Sequence, residues 1–205
     1  MQTPQPHDLL WLDAADALEG ADAPWVSVQW RPELPVVVRR DTHPDGLVAV
    51  GVRGLRRDQR AAGWVAPSRI VKRVAPQALV DSQQLLQSPF VSQPPVQAAV
   101  QLALRDWPWT WGITGSVGYA LATGIPVLHA DSDLDLLIRA PEPLQPAQLE
   151  QWQHITMMLP CRADTQVETP QGGFALAEWL REGQVLLKTV LGPRLTRNPW
   201  QQETS

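Results

Sequence analysis

The chain has 205 residues, 21 acidic and 17 basic side chains, a net charge of −4 and a hydrophobic fraction of 44%. That size supports one large domain or two small ones; no apolar run reaches the roughly 18 residues of a membrane helix, and the N-terminus, M-Q-T-P-Q-P-H-D, lacks the charged and apolar regions of a secretory signal. The single Cys161 excludes an intrachain disulfide and a cysteine zinc cage, and a pI of 5.5 argues against a dedicated nucleic-acid binder, so a cytoplasmic protein is expected.

In chain order, residues 1–87 read as β-rich. Asp8–Leu18 is predicted as a short helix. Trp25–Trp30 alternates as strands do, and Pro35–Arg40 carries the β-branched run V-V-V. Leu47–Val52 is bounded by the turn signals Asp45-Gly46 and Gly54, and P-S-R-I-V-K-R-V offers one more strand. Ser88–Pro95, S-P-F-V-S-Q-P-P, is predicted as a linker. Beyond it, Val96–Arg105 has apolar residues at helical spacing. W-T-W-G-I-T predicts a strand, Val117–Thr123 a short helix, and Leu134–Ile138 a buried strand. Pro146–Leu159 predicts a second amphipathic helix, Arg162–Thr169 a strand, Phe174–Arg181 a third helix and Val185–Thr189 a final strand. The expected class is therefore α/β (α+β). It comprises a β-rich domain over 1–87, a linker over 88–95 and a second domain over 96–205 with a mixed sheet flanked by helices.

Charge is unevenly spread. Fifteen of the 17 basic residues are arginine, whose planar fork suits phosphate and carboxylate groups. Residues 31–73 hold ten basic and four acidic side chains, a net +6 that leaves −10 elsewhere. Arg39 and Arg40 end a predicted strand, and Arg53, Arg56, Arg57 and Arg60 lie close by in the chain. This stretch suits either an anionic ligand or an acidic partner; a solvated arginine face is the plainer reading.

The chemistry concentrates in W-G-I-T-G-S-V-G-Y-A-L-A-T-G followed by H-A-D-S-D-L-D-L-L-I. Asp133 and Asp135 are two apart, so on a strand they share a face. Two neighbouring carboxylates repel unless a cation lies between them. A magnesium ion, which takes carboxylate and phosphate oxygens, explains such a pair on an apolar strand; a solvated loop entering a strand explains it too. Gly115 permits a tight turn and close approach of a ligand, and Ser116 is predicted to cap the next helix, whose N-terminus favours phosphate. Trp107, Trp109 and Trp111 alternate along one side of a strand and read as core. Lys188, in V-L-L-K-T, is either a phosphate-site cation or a solvent-facing lysine.

A strand ending in Gly115-Ser116, a short helix, and a strand bearing Ser132-Asp133-Leu134-Asp135-Leu136 resemble the polymerase-β-like nucleotidyltransferases. That superfamily adds a carboxylate on a later strand, which Asp164 in C-R-A-D-T-Q-V-E-T matches, with Glu168 as the alternative. Longer strings, D-S-D-L-D-L-L-I-R-A-P, Q-V-E-T-P-Q-G-G-F-A-L-A-E-W and V-L-L-K-T-x-x-G-P-R-L, are similar to the malonate decarboxylase holo-acyl-carrier-protein synthases, a family of phosphoribosyl-dephospho-CoA transferases. The resemblance implies a nucleotidyltransferase fold in the second domain. It also implies transfer of the prosthetic group from 2′-(5″-triphosphoribosyl)-3′-dephospho-CoA to a serine of the acyl-carrier subunit, with loss of pyrophosphate. In that scheme Asp133, Asp135 and Asp164 hold Mg²⁺ and carry the catalysis. Gly115 and Ser116 cradle phosphates, and Arg39, Arg40 and Lys188 contact the donor. The alternatives are a nucleotidyltransferase that adenylylates another protein or small molecule, and a non-catalytic assembly factor that binds the carrier. No membrane or nucleic-acid partner is expected.

Overall fold

A computed structural model describes residues 3–202. It divides into two compact units, the first ending at Ala75 and the second starting at Pro76. The predicted linker over 88–95 falls inside the second unit, where Pro94 already begins a helix. The class is mixed α and β, with a β-rich first part and a second part built on a mixed sheet flanked by helices.

The first unit contains β1 (Leu9–Leu12), α1 (Val26–Gln29), β2 (Val36–Val38), β3 (Val48–Arg53), β4 (Arg60–Val65) and β5 (Ile70–Val74). The five strands form one antiparallel sheet in the order β4-β3-β2-β1-β5. Leu10, Leu12, Val36, Val38, Val50, Val52 and Val65 build its core. Two expectations are corrected here. The predicted helix over Asp8–Leu18 is instead β1 followed by a single 3-10 turn at Ala15–Ala17, because Leu10 and Leu12 meet the sheet core and the segment pairs with β2 and β5. The predicted strand over Trp25–Trp30 is the helical turn α1, which anchors Val26 and Trp30 in the same core. β4 was not anticipated: its R-A-A-G-W-V sequence shows no apolar alternation.

Within this unit Asp8 is fully buried, and the Arg73 Nε–H donates to its Oδ2 at 2.6 Å. The same oxygen accepts the Gln5 backbone N–H at 2.8 Å. Removing one member of a buried ion pair strands the other charge in a poor solvent. Asp8→Ala is therefore expected to lower stability by about 3–5 kcal/mol, read by denaturant unfolding followed through the tryptophans; a loss below about 1 kcal/mol would remove this assignment.

The second unit holds α2 (Ser82–Leu86), α3 (Pro94–Ala103), β6 (Thr110–Thr114), α4 (Gly115–Thr123), β7 (Leu134–Arg139), α5 (Pro146–Met157), β8 (Ala163–Thr169), β9 (Gly172–Ala175), α6 (Leu176–Glu182), β10 (Val185–Thr189) and β11 (Gly192–Thr196). Its sheet runs β11-β10-β9-β8-β7-β6, with β7 and β8 parallel and the other pairs antiparallel. The third predicted helix begins two residues late because Phe174 belongs to β9, where it pairs with Val167 and enters the core. β11 was not anticipated, since Pro193 in its G-P-R-L-T sequence suggests a turn; as the outer strand it tolerates proline.

The pleat gives this sheet two unlike faces. Trp111, Ile113, Leu134, Leu136, Ile138, Val167, Phe174, Val185 and Leu187 point to one side and form the core with apolar residues from helices α3–α6. Trp152 of α5 is fully buried at its centre, ringed by Trp107, Trp109 and Trp111 at centroid distances of 4.6 to 6.0 Å. Its indole N–H donates to Thr165 Oγ1 at 2.9 Å. The three alternating tryptophans are thus packing residues. On the opposite side, a turn at Pro76–Leu79 lies tightly over Gly112, where a Cβ would sit 2.3 Å from the Pro76 carbonyl carbon.

Candidate active site

The uncovered part of the second face is polar. Strand parity places Asp135 and Arg139 of β7 on it with Asp164, Gln166 and Glu168 of β8 and Lys188 of β10. Register orders all of these residues but Gln166, which lies between, into two lines. One runs Thr114–Asp135–Asp164 and the other Thr110–Arg139–Glu168–Gly173–Lys188. Lines four residues apart on one strand are separated by about 13 Å.

The first line meets the start of α4. Gly115, at φ +66, follows β6 directly, and its missing side chain leaves room for the Asp135 carboxylate. A Cβ on Gly115 would stand 2.0 Å from Asp135 Oδ2 and 2.9 Å from its Cγ. The carboxylate is therefore seated against the backbone at the N-terminus of a nine-residue helix, whose dipole favours negative charge. The helix's N-cap is Thr114, not Ser116; Ser116 is the second helical residue, in the first turn. Thr114 gives no side-chain bond to that turn, and its hydroxyl donates to the Asp135 carbonyl at 3.4 Å.

Asp164 is the direct Cα partner of Asp135 on the adjacent parallel strand. Its carboxylate is half exposed and pairs with Arg162, Nε to Oδ2 at 3.2 Å. Asp133 lies one residue before β7, half-buried, and Leu134 beside it donates its N–H to the Arg162 carbonyl at 2.9 Å. Burial pushes the Cys161 thiol above its ordinary range, and the negative charge of Asp133 adds to this, which suits a packing residue and not a thiolate nucleophile. Ser132 is buried and closes the preceding loop: its Oγ accepts the His129 N–H at 2.9 Å.

Glu168 is buried, and its Oε1 accepts from Gln166 Nε2 at 2.7 Å. It is registered with Arg139, not with Asp135. Lys188 is exposed on the same face, three strands from β7. Among the described residues no group of three His, Cys, Asp or Glu side chains is gathered as a metal cage.

Arg39 and Arg40 belong to the first unit, just beyond β2. Arg39 donates Nε–H to the Val50 carbonyl at 2.9 Å, and its guanidinium lies 5.8 Å from the centroid of the Trp64 ring. Other arginines of that unit are also engaged locally: Arg56 with Asp58, and Arg69 with Asp13 and Asp16. Much of the +6 stretch is thus balanced by acids within its own unit.

Two residues of the polar face were not singled out from sequence. Arg139 was overlooked because the apolar run L-L-I set the strand's end one residue early, although alternation from Asp135 leads to it. Gln166 carries no sequence signal of its own.

No helix of the described residues is long and apolar enough to cross a membrane. Family models for the phosphoribosyl-dephospho-CoA transferase MdcG match both parts of the chain. The N-terminal domain matches residues 5–76 and the C-terminal domain residues 79–199. A phosphoribosyl-dephospho-CoA transferase of Klebsiella pneumoniae is 64% identical over 201 residues, covering 98% of both chains. Proteins of the same name from Azotobacter vinelandii and Pseudomonas putida are 42% and 45% identical, covering 97% and 98% of this chain and 95% and 97% of their own. No solved structure matches. With both domain models spanning it and relatives this similar over nearly their full length, the chain is a transferase and belongs to the phosphoribosyl-dephospho-CoA transferase family.

Proposed function

We propose that this enzyme transfers phosphoribosyl-dephospho-CoA from 2′-(5″-triphosphoribosyl)-3′-dephospho-CoA to a serine of the malonate decarboxylase acyl-carrier subunit, converting it from apo to holo. The seating of Asp135 against Gly115 is the observation that carries the reading. It brings a carboxylate and a helix N-terminus to one point, where a metal-bound polyphosphate has both its partners. The attacking serine Oγ forms a bond to the α-phosphorus, the bond from that phosphorus to the bridging oxygen breaks, and pyrophosphate leaves with the electron pair.

Asp133 and Asp135 are the proposed carboxylates for Mg²⁺ at the triphosphate. Asp164 is preferred to Glu168 as the third, because it is in register with Asp135 while Glu168 is in line with Arg139. The donor set suits magnesium, a hard cation that prefers carboxylate and phosphate oxygens, and Asp133, Asp135 and Asp164 would hold it. When bound, the metal neutralises charge on the triphosphate. Backbone N–H groups at Gly115 and Ser116 orient the β- and γ-phosphates. Asp164 accepts the serine proton as attack begins. Lys188 adds positive charge on the same face. A reducing cytoplasm is the fitting compartment for the free Cys161 thiol.

Donor choice tests this directly. Incubating the apo carrier with Mg²⁺ and either the triphosphoribosyl donor or ATP, then weighing it intact, should show one phosphoribosyl-dephospho-CoA added from the first and no change with the second. An AMP adduct from ATP would replace the reading with adenylylation. Carrier binding with no adduct from either donor would leave an assembly factor.

A further inference from the structure

Beyond Lys188 the polar face turns apolar. Leu186 of β10 and Leu195 of β11 are cross-strand partners. The alternation that buries Leu187 turns both outward, and they are 46% and 62% exposed. The hairpin tip adds Leu191 at 96%. From Val185 to Gln201 the sequence carries Lys188, Arg194 and Arg197 and no acidic residue, within a chain of net charge −4. β11 is the outer strand of the sheet. Lys188 shares the face of these leucines and Arg197 follows β11, whereas Arg194 turns to the other face with its partner Leu187, and Glu178 accepts the Leu186 N–H at 3.2 Å. Exposed leucines beside Lys188 and Arg197 at a sheet edge fit a protein surface with an apolar centre and an acidic surround. They contribute nothing to holding a small anion.

We propose that the β10–β11 hairpin is the docking surface for an acidic protein that bears the acceptor serine. The inference rests on the transfer reading above and names the surface that serves it. Lys188 ends the line that runs from Glu168 through Gly173. A protein seated on Leu186, Leu191 and Leu195 therefore borders the face that carries Asp135 and Asp164. Its serine reaches that face along the surface of the sheet.

The test uses the full chain, apo acyl-carrier subunit as probe, and the variants Leu195→Glu, Leu191→Glu and Leu191→Lys. Leu191 is almost wholly exposed, so its two variants remain informative even if Leu195→Glu perturbs the hairpin. Calorimetry should show each glutamate variant binding the carrier about tenfold more weakly, with Leu191→Lys affected less than Leu191→Glu. KM for the carrier should rise to match, while KM for the donor stays within about twofold. Unchanged carrier Kd in both glutamate variants overturns the docking surface. So does sedimentation that finds a wild-type dimer dissociated by Leu195→Glu, which gives the patch to a second copy. Wild-type enzyme that binds carrier through this hairpin yet modifies it with neither donor overturns the transfer reading and leaves the docking surface standing.

Discussion

Asp135→Asn is expected to abolish prosthetic-group transfer while leaving the fold intact. The substitution keeps size and shape but removes the charge seated against Gly115. Its structural effect is small: a half-exposed carboxylate near a helix N-terminus stabilises by about 0.3–1 kcal/mol, and Leu134, Leu136 and Ile138 hold the strand through the core irrespective of it. Its chemical effect is large. Phosphoryl transfer depends on positioning and charge neutralisation, and loss of the proposed anionic anchor for magnesium is expected to remove several kcal/mol, about a thousandfold in rate. The measurement is intact mass of the carrier against time, with thermal unfolding of the variant alongside. A melting temperature within about 4 °C of wild type is expected. Full activity in purified Asp135→Asn would end the assignment of this residue.

Gly115→Ala is expected to be as inactive and, unlike Asp135→Asn, less stable. Two effects add. Alanine at φ +66 carries about 1–2 kcal/mol of backbone strain. Its methyl group would also stand 2.0 Å from Asp135 Oδ2, so the carboxylate must leave its seat. A stability loss of about 1–3 kcal/mol follows. The double variant Gly115→Ala/Asp135→Ala separates the two. With the carboxylate gone, the backbone strain and a tight 3.1 Å contact to the Cβ of residue 135 remain, so the second substitution should restore part of the stability lost in Gly115→Ala while activity stays absent. Additive losses in that cycle would show that residues 115 and 135 do not share a seat. Normal transfer by Gly115→Ala would place the phosphate cradle elsewhere.

The α/β character, most of the strands, the order of helices α3–α6 and the acid-bearing segment were readable from sequence, whereas the short helix α2 was not. They rest on local signals: apolar periodicity in Val96–Ala103, the β-branched run at Val36–Val38, and a glycine between a strand and a helix. Local signals failed where burial outweighed them. Leu9–Leu12 is a strand because it pairs with strands from much later in the chain and buries Leu10 and Leu12 in their core, and Val26–Gln29 is a helical turn despite the alternation over Trp25–Trp30. The site divides in the same manner. The residues proposed for metal-assisted transfer, Gly115, Ser116, Asp133 and Asp135, lie within one segment and are visible in its motif. Which later carboxylate stands beside Asp135 is a question of strand register. Asp164 and Glu168 have the same parity and differ only in that β8 pairs with β7 two pleats apart at these positions. Register is set by many side chains packing at once, and no single residue encodes it. For the same reason the polar line through Arg139 and the leucine-edged hairpin beside Lys188 exist only once the strands are aligned.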